Sequence, residues 1–93
     1  MKIKLTIEFN YDLKEIVDFI SKDKPAAARK FKTELKKKIQ KDLKHPFLFK
    51  KSIYFDDENI RDYVFKGYTV VYKVDNHLEN VLVVAILKYR NSF

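Results

Sequence analysis

Ile3, Leu5, Ile7 and Phe9 alternate with Lys4, Thr6 and Glu8 at the start of the chain. A two-residue period belongs to a strand with one buried face, so this pattern predicts a strand over Lys2 to Phe9. The period then lengthens. Leu13, Ile16, Val17 and Ile20 recur at helical spacing, with Asp12 placed as an N-cap and Glu15 three residues on in capping-box position. This helix is expected to end near Ser21-Lys22. Pro25 then opens a second helix, because proline is well tolerated in a first helical turn. Its apolar stripe is narrow: Ala28, Phe31, Leu35, Ile39 and Leu43. His45-Pro46 should stop it, and the short connector makes the two helices a hairpin.

The last third reads as strands. Ile60 to Phe65 is followed by a tight turn at Lys66-Gly67 and by a second strand, Tyr68 to Val74. Gly67 is the only glycine in the chain and stands where a two-residue hairpin needs positive φ. After a polar turn, the apolar run Val81 to Leu87 leads into Lys88-Tyr89-Arg90. The segment Phe47 to Asn59 is harder to place. It is too apolar for a free loop, so part of it must pack on the core; Ser52 to Phe55 has the composition of a short strand, and Phe47 to Phe55 is apolar enough to leave an exposed patch.

These elements predict one α+β domain over residues 1–93. Its order is β-α-α-β-β-β, with the helical hairpin packed on a twisted antiparallel sheet. Length supports a single core and no more. The absence of cysteine removes disulfides, thiolate nucleophiles and cysteine-based zinc sites. His45 and His77 have no partner at metal-ligand spacing, the acidic run Asp56 to Glu58 reads as a solvated turn, and one glycine cannot build a phosphate-cradling loop. No metal and no cofactor are expected. Met1 to Leu5 alternates instead of opening a signal-peptide core, and the longest apolar run is far too short for a bilayer. The expectation is a cytoplasmic protein with no membrane partner. A formal net charge of +7 favours acidic partners, although many of the lysines are accounted for by a solvated surface.

Several stretches resemble the RelE/ParE superfamily, the toxins of type II toxin–antitoxin modules. Asp12 to Ile20 followed by Lys24-Pro25-Ala26-Ala27-Ala28 resembles the ParE branch, with Lys24 at a place usually held by asparagine. Leu43-Lys44-His45-Pro46 resembles that branch's Leu-x-x-Pro. Ile60 to Tyr68, then Val70 to Val74, is similar to the family's Arg-x-Leu-Val and Gly-Tyr-x-Ile-x-Tyr signature. Leu87-Lys88-Tyr89-Arg90 resembles its Leu-His-x-Arg terminus, with Lys88 at the histidine place. Each piece is short; their order and spacing over one small domain carry the resemblance.

The resemblance implies one of two activities on a shared scaffold. RelE-like members cleave mRNA in the ribosomal A site, whereas ParE-like members inhibit DNA gyrase by binding. RelE-like sequences usually carry an arginine directly after the Gly-Tyr pair, and this chain has Thr69 there. That departure removes a group able to stabilise phosphate charge. If the chain is a nuclease, its candidate catalytic residues are Arg61, Lys66, Lys88, Tyr89 and Arg90. As a binder, its candidate target contacts are Arg61, Lys88, Tyr89 and Arg90.

Each candidate also has a plain structural reading. Arg61 either holds a phosphate or carboxylate with its planar fork or pairs with a carboxylate across the sheet. Tyr89 either stacks on a base or covers the end of the core. Lys88 and Arg90 share a face beyond the apolar strand. Three readings therefore stand: a ParE-like inhibitor, which Thr69 and the Pro25 helix start favour; a ribosome-dependent mRNA endonuclease; and a non-toxic basic binding module. The partners these imply are a cognate acidic antitoxin, which would cover the Phe47 to Phe55 patch, with DNA gyrase or the ribosome and its mRNA as target.

Overall fold

The structure is a computed structural model and describes residues 1–88. Strand β1 (Lys2–Leu5) leads into helix α1 (Ile7–Ser21) and, after a three-residue connector, helix α2 (Pro25–Asp42). A 3-10 turn at Pro46–Leu48 and the two-residue strand β2 (Lys50–Lys51) follow. The chain then meanders through β3 (Ile60–Phe65), β4 (Tyr68–Asp75) and β5 (Asn80–Lys88). The strands make one sheet in the order β1-β5-β4-β3-β2. The predicted α+β class and the helical hairpin packed on a sheet both hold.

The sheet is mixed, where the sequence pattern predicted an antiparallel one. β2, β3, β4 and β5 pair antiparallel, but β1 runs parallel to β5, with Ile3 opposite Val81 and Leu5 opposite Val83. Parallel neighbours need a long crossover, and here both helices and three strands intervene between them. Thr6 locks this pairing. Its backbone N–H and its hydroxyl both donate to the Val83 carbonyl, at 3.1 and 3.0 Å.

Thr6 also corrects the predicted helix start. Its hydroxyl oxygen accepts from the Phe9 N–H at 3.1 Å, so it, and not Asp12, is the N-cap. The strand stops at Leu5, and Phe9 becomes the first residue of the buried helical stripe. Phe9 and Leu13 are almost wholly inaccessible, while Ile7 points outward. The physical reason is a pattern with two readings: Ile7 and Phe9 continue the strand alternation, but Phe9 also stands four residues before Leu13. The packing of Phe9 under the sheet decides between them.

The α2 stripe is as expected. Ala28, Phe31, Leu35, Ile39 and Leu43 are all buried, with Leu43 as the C-cap residue. They pack against Tyr63, Phe65, Val70, Tyr72 and Val74 of the sheet, together with Val81, Val83 and Ile86. Phe31 meets Phe65 and Tyr68 edge-on, with ring centroids 5.5 and 5.3 Å apart. A bulge in β5 lets Val83 pair with Tyr72 while Ala85 pairs with Val71. The additional residue keeps both Val83 and Ile86 on the core side.

Ser52 to Phe55 does not form the short strand its composition suggested. β2 ends at Lys51, and side chains take over the next backbone donors. The Ile53 N–H donates to Asp62 Oδ2 at 3.2 Å, and the Tyr54 N–H donates to Ser52 Oγ at 3.1 Å. Such local side-chain bonds compete with a strand ladder.

Candidate functional site

Arg61 lies on β3 opposite Tyr72, sharing the core-side face with Tyr63 and Phe65 as the alternation predicted. Its Nε donates to the Glu58 carbonyl and a terminal nitrogen donates to the Phe49 carbonyl, both at 2.8 Å. Its guanidinium carbon stands 4.9 Å from the centroid of the Phe47 ring, a cation–π distance. The structural partner weighed for it was a carboxylate; the fold supplies two backbone carbonyls instead. Arg61 thus staples both ends of the Phe49–Glu58 segment to the sheet. Phe49 completes this corner by meeting Tyr63 edge-on at 5.1 Å.

Lys66 is held differently. It sits at the first central position of the β3–β4 hairpin, where both Lys66 (φ 47°) and Gly67 (φ 84°) are left-handed, as a type I′ turn requires. Its ammonium forms a 2.7 Å ion pair with Glu34 of α2. The hydrogen bond from Lys66 holds the Glu34 carboxyl below its ordinary pKa. Lys66 therefore ties the hairpin tip to the helix.

Lys88, exposed, ends β5 opposite Tyr68. It borders a groove of about 440 Å³ between α1 and the strand end, where Asp12, Glu15, Ile16 and Phe19 form the helix wall. Tyr89 and Arg90, the other two members of the predicted cluster, lie outside the described residues. Arg61 and Lys66 sit on different corners of β3, each with its own partners, so the structure does not gather these two cations into one constellation.

Thr69 stands where the resemblance leads to the expectation of an arginine in a RelE-like nuclease. It lies on β4 between Val64 and Leu87 and is only 2 % exposed. A buried neutral hydroxyl takes the place where an arginine would offer charge.

The described tyrosines that bond within the fold are also poorly suited to proton transfer. Tyr63 donates to Asp42 Oδ2 at 2.5 Å, and Tyr72 donates to the Pro46 carbonyl. Burial is the largest cause raising both phenols above the ordinary tyrosine pKa; for Tyr63 the bond to Asp42 adds to it. These hydroxyls anchor the end of α2 and the following turn to the sheet. Among the described residues no group of three His, Cys, Asp or Glu side chains is placed to hold a metal ion.

Sequence reasoning passed over one of two further features and foresaw the other. One is Asp62: Oδ2 accepts from Ile53, while Oδ1 is buried without a hydrogen-bond partner among the described residues. The available signal was a carboxylate next to Arg61 inside a strand whose other residues are aromatic or aliphatic. The other is the apolar surface around it, foreseen as an exposed patch left by the Phe47 to Phe55 stretch. A groove of about 430 Å³ is lined by Leu48, Ile53, Asp62, Val64 and Thr69, among others. Leu48, Ile53 and Val64 are 79, 78 and 57 % exposed, an unusual concentration on a small protein.

Comparison with known proteins places this arrangement. The family described as ParE toxin of type II toxin–antitoxin system, parDE, matches residues 3–93. The chain belongs to the ParE toxin family. Its fold is similar to a chain of the chromosomal ParDE toxin–antitoxin system from P. aeruginosa, with a TM-score of 0.70 at 17 % identity over 97 % of each chain. It is also similar to a chain of the RelBE2 toxin–antitoxin complex from Mycobacterium tuberculosis, with a TM-score of 0.65 at 15 % identity, covering 94 % of this chain and 95 % of that one. No curated protein matches. The resemblance to the RelE/ParE superfamily, and to its ParE branch, is therefore established.

Proposed function

We propose that this ParE-family toxin arrests growth by binding its target, DNA gyrase, and not by cutting RNA. The observation that carries this reading is the buried Thr69 on β4, in the place where a superfamily nuclease would carry an arginine. Phosphoryl transfer from a 2′-hydroxyl requires proton transfer and stabilisation of the phosphate charge, each contributing orders of magnitude in rate. Arg61 and Lys66 are engaged within the fold, and Tyr63 and Tyr72 hold their protons strongly. Target contacts are then assigned to Lys88, Tyr89 and Arg90, with Arg61 shaping the neighbouring surface through the segment it staples. Mapping mRNA 5′ ends after induction tests this. The expected result is no new codon-phased ends; ribosome-dependent, codon-phased cuts would place the chain with the mRNA endonucleases.

The partner in this reading is a cognate acidic antitoxin. The exposed apolar surface of Leu48, Ile53 and Val64 and the net charge of +7 support it. A segment crossing that surface buries apolar area and neutralises charge together. Co-expression with the adjacent reading frame is expected to relieve growth arrest and yield a co-purifying complex; failure of both overturns the assignment.

A further inference from the structure

The two helices carry opposite charge. α1 holds Glu8, Asp12, Glu15 and Asp18 against Lys14 alone, whereas α2 holds seven lysine or arginine residues against Glu34 and Asp42. On α2 the positive side chains fall on the side away from the core stripe. Lys37 and Lys41 stand four residues apart, one above the other, and Lys44 continues the row just past the helix end. All three are exposed, and with Lys36 and Gln40 they line a shallow depression of about 510 Å³ that contains no carboxylate.

We infer that this lysine row is a binding site for the phosphate backbone of duplex nucleic acid, used without regard to base sequence. Three observations select that ligand among polyanions. The depression is lined only by lysines and one glutamine, so the apolar surface it has is side-chain stem, with no aliphatic or aromatic side chain to anchor an amphipathic acidic protein segment; the exposed apolar groups stand elsewhere, on α1 and around Ile53. Its cations are lysines, which act as point charges and lack the planar fork that reads base edges or carboxylates in two-pronged fashion. It has no aromatic residue, and stacking on aromatic rings is how proteins grip single strands. What remains is charge plus one amide, which suits a regular array of phosphates. The row from Lys37 to Lys44 extends about 10 Å at the helical rise of about 1.5 Å per residue. Duplex DNA presents about one charge per 1.7 Å of axis, so several phosphates lie within reach of the row. This surface is independent of which target the toxin inhibits.

Salt dependence reads the site directly. Anisotropy titrations of the full chain with a labelled mixed-sequence 20-base-pair duplex would span about 50 to 200 mM salt. Four phosphate contacts give a log–log slope near −3.6, so affinity is expected to fall about 150-fold across that range, alike for unrelated sequences. Replacing Lys37, Lys41 and Lys44 together by glutamine removes about 2.7 from the slope and leaves only about a 4-fold fall. A control with Lys2, Lys22 and Lys24 changed to glutamine loses the same net charge and is expected to keep a fall of about 100-fold or more. Circular dichroism checks that both variants are folded. Equal losses in the two triple variants would show net charge alone at work and overturn the site. An unchanged slope in the Lys37/Lys41/Lys44 variant, or displacement of the duplex by a glutamate-rich peptide of equal charge, would overturn it as well.

Discussion

Arg61 shows how a side chain that looks like a ligand grip in sequence becomes a structural pin in the fold. Its two donated bonds satisfy carbonyls at Phe49 and Glu58, and removing it takes the donor from both. The Glu58 carbonyl is exposed and can turn to water, but leaving the partly buried Phe49 carbonyl unpaired costs about 1–3 kcal/mol, so Arg61→Ala is expected to lower the urea midpoint at an unchanged m-value. Arg61→Lys recovers only part of this, since one ammonium replaces a fork spanning two carbonyls. Retention of the full midpoint by Arg61→Ala would return Arg61 to the list of free ligands. Nothing in the sequence announced these partners, because the more distant one stands 12 residues away in an irregular segment. The hairpin tip was fully legible, since Lys66-Gly67 between two β-rich runs allows few other conformations. An added Cβ at Gly67 would meet nothing within 4 Å, so Gly67→Ala carries only the left-handed backbone cost, about 1–2 kcal/mol. Chemical denaturation measures it directly.

Among the elements, the connection from α2 into the sheet depends on two phenol bonds, Tyr63 to Asp42 and Tyr72 to the Pro46 carbonyl. Both phenols ionise at higher pH in the folded chain than the ordinary value of about 10, mainly through burial. A folded pKa above the unfolded one gives stability that is fully present below the unfolded value and is lost as pH rises beyond it. Unfolding free energy is therefore insensitive to these two groups near neutrality and declines with them above about pH 10. The double change Tyr63→Phe and Tyr72→Phe is expected to flatten that alkaline decline in urea titrations; an unaltered decline would assign it to other groups.

Element boundaries were legible where one period ruled alone, as in α2 and β4. They were missed at Ile7 to Phe9, where two periods overlap, and the Thr6 cap depends on its contact with Val83, 77 residues away. The parallel pairing of β1 was missed for the same reason, since an alternating strand carries no record of which neighbour it will join. The exposed apolar surface beside β2 was foreseen as a patch left by Phe47 to Phe55, without the part that Val64 of β3 adds to it. Ile53, 78 % exposed, tests its use: Ile53→Ser is expected to leave thermal stability unchanged but reduce antitoxin co-purification at least 10-fold. Full co-purification would move the antitoxin to another surface.

For the molecule as a whole, the fold is that of the RelE/ParE superfamily, and the proposal of a binder over a nuclease rests on what the sheet presents. Here the cations of β3 and its hairpin are tied into the structure, Thr69 is buried and neutral, and the strand end at Lys88 leads to the remaining predicted contacts. Plasmid topology sampled in the first minutes after induction tests that account most directly. Inhibition of gyrase is expected to leave plasmids relaxed or cleaved while protein synthesis still proceeds. Normal negative supercoiling in cells whose translation has already stopped would contradict it.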